Sequence, residues 1–130
     1  MQPIKYLVVH SSDSPHRGDT AEDIHRWHQE RGWSGIGYHY VIRETGDIER
    51  GRPHYWTGAH VSGHNTGSLG ICLLGKDEFT SDQFLALKSL LRTLLFQHPD
   101  AAVVGHRDLD PHKTCPNFNV KEWWKENNDA

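Results

Sequence analysis

The run "LGICLLG", Leu69 to Gly75, is apolar at nearly every position. A strand with one wet face alternates apolar and polar residues, whereas a strand covered on both faces does not. This run therefore reads as a central strand with a layer packed on each side. Any fold for the chain must supply those layers.

The flanking sequence supplies them. Ile4 to Val9 is a short β-branched run ending at His10, and Ala101 to Gly105 is another, ending at His106. Both read as buried strands. "GYHYVIRETGDIERG" reads as a hairpin, with Tyr38 to Arg43 as one strand, Thr45-Gly46 at the turn and Asp47 to Arg50 returning. In that strand Tyr38 and Tyr40 share a face and His39 takes the other. Three helices fill the gaps. Thr20 and Asp23 form a capping box ahead of Ala21, Ile24, Trp27 and His28 on one face, and Gly32 supplies the stop. Thr80 and Gln83 form a second box, Phe79 staples onto Phe84, and Phe84, Leu87, Leu91 and Leu94 repeat at helical spacing, with Pro99 just past the end. Asn119 and Glu122 open the last helix, with Phe118 against Trp123. The order β-α-ββ-β-α-β-α predicts one α/β domain over residues 1–130, with a central mixed sheet of about five strands flanked by helices.

Composition narrows the function. The net charge is -3 and the Lys and Arg residues are scattered, so no nucleic-acid footprint is expected. The longest apolar runs, such as Ile71–Leu74, are far too short to insert in a membrane. The start "MQPIKYLVVHSS" lacks the pattern of a secretory signal, so a cytoplasmic start is expected. There a disulfide between Cys72 and Cys115 is not expected. Cys72 fits a small apolar core residue inside "GICLLG". A monomer is expected.

Eleven histidines make a metal site worth seeking. "YLVVH" and "AVVGH" both end in histidine, and ligands gather outside the carboxyl ends of strands in open α/β sheets. Cys115 follows in a loop stiffened by Pro111 and Pro116. His10, His106 and Cys115 together offer two nitrogens and a thiolate. That set suits Zn²⁺ and leaves a fourth tetrahedral position open, as catalytic sites do. Trp56 reads equally as a sugar-facing ring or a half-buried core tryptophan. His16, His25, His54 and His98 read as incidental.

Four motifs in order, "VVHSS", "RWHQERGWSGIGYHYVI", "GAHVSGHNTGSLGICLLG" and "GHRDLDPHKTCP", resemble the zinc-dependent N-acetylmuramoyl-L-alanine amidases, whose domain the peptidoglycan recognition proteins share. Within that family the nearer likeness is to the small phage lysozymes of T7 type. The likeness runs from about His10 to Trp124. It implies one zinc per chain on His10, His106 and Cys115, a catalytic Tyr38 and a catalytic Lys113. It also implies that the segment carrying His60, Gly63 and Asn65 lies near the bound glycan-peptide, so His60 and Asn65 are substrate-binding candidates. Choosing Tyr38 over Tyr40 rests on the resemblance alone. His60 reads also as a partner of a metal ligand or as a surface residue, and His112 has no role to match.

The implied reaction is hydrolysis of the amide between the lactyl group of N-acetylmuramic acid and L-alanine in bacterial peptidoglycan. A phage endolysin held in the host cytoplasm until release onto the cell wall fits, as does a bacterial enzyme released by lysis. The rival readings are a peptidoglycan-binding module without activity, a regulator of a host protein and a structural zinc site. Cys115, Tyr38 and Lys113 together favour the enzyme over the binder. The first strand begins about three residues in, so the polymerase-binding extension of the T7-type lysozymes is not expected.

Overall fold

The computed structural model describes residues 3–13, 20–33, 35–76 and 78–128. His16 lies outside them. Among the described residues the chain forms five strands: β1 (Tyr6–Ser11), β2 (Tyr40–Ile42), β3 (Ile48–Arg50), β4 (Ser68–Leu73) and β5 (Ala102–Gly105). Four helices join them: α1 (Ala21–Glu30), α2 (Ser81–Gln97), α3 (His106–Leu109) and α4 (Val120–Asn127). The sheet order is β3-β2-β4-β1-β5. Only the β2–β3 pair is antiparallel; β2–β4, β4–β1 and β1–β5 are parallel.

β4 is central and buried at every residue, as its lack of alternation demands. On one face Leu7, Val9, Ile42, Leu69, Ile71 and Leu73 pack against Leu87, Leu91 and Leu94 of α2 and Val120 and Trp124 of α4. The other face is covered in two pieces. Val41 and Cys72 meet Ala21 and Ile24 of α1, while Val8 and Val104 meet Val61 from the long loop after β3. Cys72 is fully buried there with a free thiol, the small core residue its motif suggests. Between the two apolar pieces this face carries polar side chains, and the functional site opens there.

All three expected helix starts are present. Thr20 accepts from Asp23 N, Thr80 from Gln83 N and Asn119 from Glu122 N. Gln83 does more than close its box. Fully buried, it donates through Nε2 to Ile42 O at 3.2 Å and Leu74 O at 2.8 Å, fastening α2 to the ends of β2 and β4. Such a buried amide stays only because its polar atoms are satisfied. The phenylalanine staple forms too, with the Phe79 and Phe84 rings 6.1 Å apart.

The hairpin needs correction. Its first strand starts at Tyr40, not Tyr38, and Tyr38 and Tyr40 do not share a face. Tyr40 packs with the α2 side, while Tyr38 packs with Val41 and Cys72 on the α1 side. The cause is His39. Its Nδ1 accepts the Gly70 N–H at 3.0 Å, so an imidazole stands where the β2–β4 ladder would continue. The chain bends at that residue, and the two-residue alternation breaks.

Candidate active site

His10 is the next-to-last residue of β1 rather than its last, and it is 1% exposed. His106 opens α3 directly after β5. β1 and β5 are neighbours in parallel, so both imidazoles reach the same rim. Their Nδ1 atoms lie 3.1 Å apart. β5 stops pairing at Gly105, opposite Val9, which leaves the N–H of Ser11 without a strand partner on that side. Cys115 takes it, its Sγ accepting from Ser11 N at 3.0 Å. The loop that carries the thiol is tied back by Arg107 N to Cys115 O at 3.0 Å and by Lys113 N to Asp110 O at 3.0 Å. One ligand atom each from His10, His106 and Cys115 lies within 4.8 Å of the others.

Burial keeps the nitrogen donors unprotonated. Burial holds the His10 imidazole well below its ordinary pKa, with the neighbouring His60 and His106 adding to the effect. Burial lowers His106 as well. Both rings are therefore neutral near pH 7 and have lone pairs to give. Burial pushes the Cys115 thiol up, and the Ser11 N–H bond pulls the other way. Two neutral imidazoles and one sulfur, with two nitrogens in near contact, form a donor set that zinc fits.

Tyr38 stands beside His10, ring centroids 5.0 Å apart. Burial raises its pKa well above 10, and the Cys72 and Cys115 sulfurs add to the shift. The phenol is thus a donor at any working pH. Lys113 is exposed at the rim of the same cleft. The cleft, about 700 Å³, is lined by His60, Asn65, His106, Lys113, Cys115 and Tyr38 among others. His10, His106, Cys115, Tyr38, Lys113, His60 and Asn65 thus gather at one place.

Other placements differ from expectation. Trp56 is 56% exposed, so it is no core residue, and it lines two neighbouring grooves rather than this cleft. His28, Arg31 and Trp33 form a wall of the cleft that sequence reading did not assign to it. His28 accepts from Gly37 N at 3.0 Å, and burial lowers its pKa to about 4. The signal available was position: all three sit in "RWHQERGW", at the end of α1 next to the Tyr38 segment. His112 also lines the cleft.

A family model described as N-acetylmuramoyl-L-alanine amidase matches residues 1–118. The chain belongs to the N-acetylmuramoyl-L-alanine amidase family. Its sequence is 38% identical over 135 residues to an endolysin of Klebsiella phage KP32, across 97% of this chain and 89% of that protein. It is 37% identical over 130 residues to the endolysin of Escherichia phage T7, across 93% and 85% of the two chains. The solved structure of an endolysin amidase, LysCS from Clostridium intestinale, superposes with a TM-score of 0.87 at 31% identity, covering 99% of this chain and 86% of that one. The amidase is a hydrolase of the endolysin type, and its five-stranded mixed sheet flanked by helices is the fold of its relatives. No helix among the described residues is long and apolar enough to cross a membrane.

Proposed function

We propose that this amidase cuts the bond between the lactyl group of N-acetylmuramic acid and L-alanine with one zinc ion held by His10, His106 and Cys115. The observation that carries the reading is the convergence of those three donors, two of them neutral imidazoles with Nδ1 atoms 3.1 Å apart. When bound, zinc supplies a Lewis acid that brings the pKa of water toward about 7 and polarises the scissile carbonyl.

The chain's own residues do the rest. Tyr38 keeps its proton and donates a hydrogen bond toward the carbonyl oxygen as charge builds there. Lys113, at the cleft rim, sets a positive charge beside the same oxygen. A donor or charge placed before the reaction is worth on the order of 10²–10³ in rate. His60 and Asn65 line the wall along which the substrate would lie. Their polar atoms are partly spent: Asn65 Oδ1 accepts from His60 N and Val61 N at 2.8 Å each, and both His60 ring nitrogens have protein partners. The partner is bacterial peptidoglycan, and the setting is a phage endolysin, monomeric, released from the host cytoplasm onto the wall. Digestion of purified sacculi followed by mass spectrometry tests the reading. Free stem peptides with lactyl-bearing glycan ends are expected, and an undigested wall from zinc-loaded protein would overturn it in favour of a binding module.

A further inference from the structure

His60 is more elaborately held than a substrate contact requires. Its ring lies flat on backbone that has no side chain to displace it. A Cβ on Gly70 would stand 2.8 Å from its Cγ and Nδ1, and one on Gly58 would stand 2.5 Å from its Cδ2. Contacts that short do not occur, so only glycine at both positions leaves the ring its seat. Asn65 fixes the backbone of the same residue. The ring then bridges two side chains. Nδ1 is 2.8 Å from His10 Nε2, and Nε2 is 3.1 Å from Ser68 Oγ.

Proton positions along this line follow from the groups that cannot donate. Ser68 Oγ lies 2.7 Å from the His64 carbonyl and 3.2 Å from the Asn65 carbonyl. Carbonyl oxygens only accept, so the one hydroxyl proton of Ser68 is directed to them. Its oxygen is left to accept, and His60 must carry its proton on Nε2. With one proton per ring, His60 Nδ1 is a lone pair, and His10 Nε2 must donate to it. His10 Nδ1 is then bare, on the side where His106 Nδ1 stands 3.1 Å away. In the other tautomer a proton would occupy the position an ion needs.

We propose that Ser68 and His60 form a positioning relay that locks His10 in its Nδ1-bare tautomer and so sets the metal affinity of the site. His60 acts through His10 and touches neither the ion nor the reacting atoms. The inference rests on the zinc reading above and names the device that prepares one of its ligands. Partners of metal-bound histidines tune affinity by about 10–100-fold.

Competition against a chromogenic zinc chelator, using the full purified chain, measures this. His60→Ala should weaken zinc binding by about 10–100-fold. Ser68→Ala, which removes the group that orients His60, should weaken it by on the order of tenfold. His60→Asn should bind close to the parent, because the amide oxygen falls near the place of Nδ1 and can only accept. Ring ¹⁵N spectra of the zinc-loaded parent should show the His10 proton on Nε2. Zinc bound as tightly by His60→Ala and Ser68→Ala as by the parent would overturn the relay while leaving the site intact. A parent that binds no zinc would overturn both. A His60→Ala chain that fails to fold leaves the decision to Ser68→Ala and His60→Asn, whose affinities must differ in the stated order. A merely structural role would lower thermal stability without separating asparagine from alanine in zinc affinity.

Discussion

Lowering the pH from about 8 to about 5 should destabilise the metal-free protein, and a minimum for the loss can be worked from two of its buried histidines, since others lowered by burial, such as His10 and His106, add to it. Burial lowers His28 to about 4 and His60 to about 3, against an ordinary value of 6.5. Below 6.5 the unfolded chain takes up protons that the folded chain refuses. Stability is therefore complete above that pH and drains away as the pH falls toward the folded values. At pH 5 each imidazole held neutral costs about 2 kcal/mol relative to the unfolded chain, or about 4 kcal/mol for the pair. The figure does not depend on how far below 5 the folded values lie. Set against a typical domain stability of about 5–15 kcal/mol, it is a large share. Urea denaturation of chelator-treated protein at the two pH values reads it directly. His28→Asn keeps an acceptor for Gly37 N and cannot titrate, so it should shrink the pH effect by about 2 kcal/mol. Equal stability at pH 8 and pH 5, or an undiminished pH effect in His28→Asn, would refute the reasoning.

Three further outcomes are expected. Cys115→Ala should lose zinc and activity together, whereas Cys72→Ala should keep both and cost about 1 kcal/mol in urea, as a small buried cavity does. Tyr38→Phe should lower kcat on sacculi by on the order of 10²–10³ while leaving zinc content unchanged. Chelation should abolish activity but leave the far-ultraviolet circular dichroism largely intact, because the larger core lies on the opposite face of the sheet from the three ligands.

Periodicity and capping chemistry made much of the scaffold readable. The Thr20, Thr80 and Asn119 caps are local rules, and the unbroken apolar run of β4 follows from burial on both faces. His10, His106 and Cys115 could be grouped because donor chemistry and strand ends are visible in sequence. Tyr38 was readable as a residue but not as an orientation. Its turn to the α1 side depends on His39 accepting from Gly70, a partner 31 positions away. The seat of His60 was hidden although its parts lie close in sequence, because it forms only when the loop after β3 folds back onto β4. It needs Gly58 in that loop and Ser68 and Gly70 on β4, and no local pattern marks a ring laid on bare backbone. Trp56 shows the converse case: its composition suggested a core or a sugar cleft, and only the fold reveals an exposed ring beside neighbouring grooves.

The most direct test of the central claim is zinc K-edge X-ray absorption on the zinc-loaded chain. One sulfur at about 2.3 Å and two imidazole nitrogens at about 2.0–2.1 Å, at one zinc per chain, is the expected first shell. A shell without sulfur, or one built without two imidazoles, would contradict it.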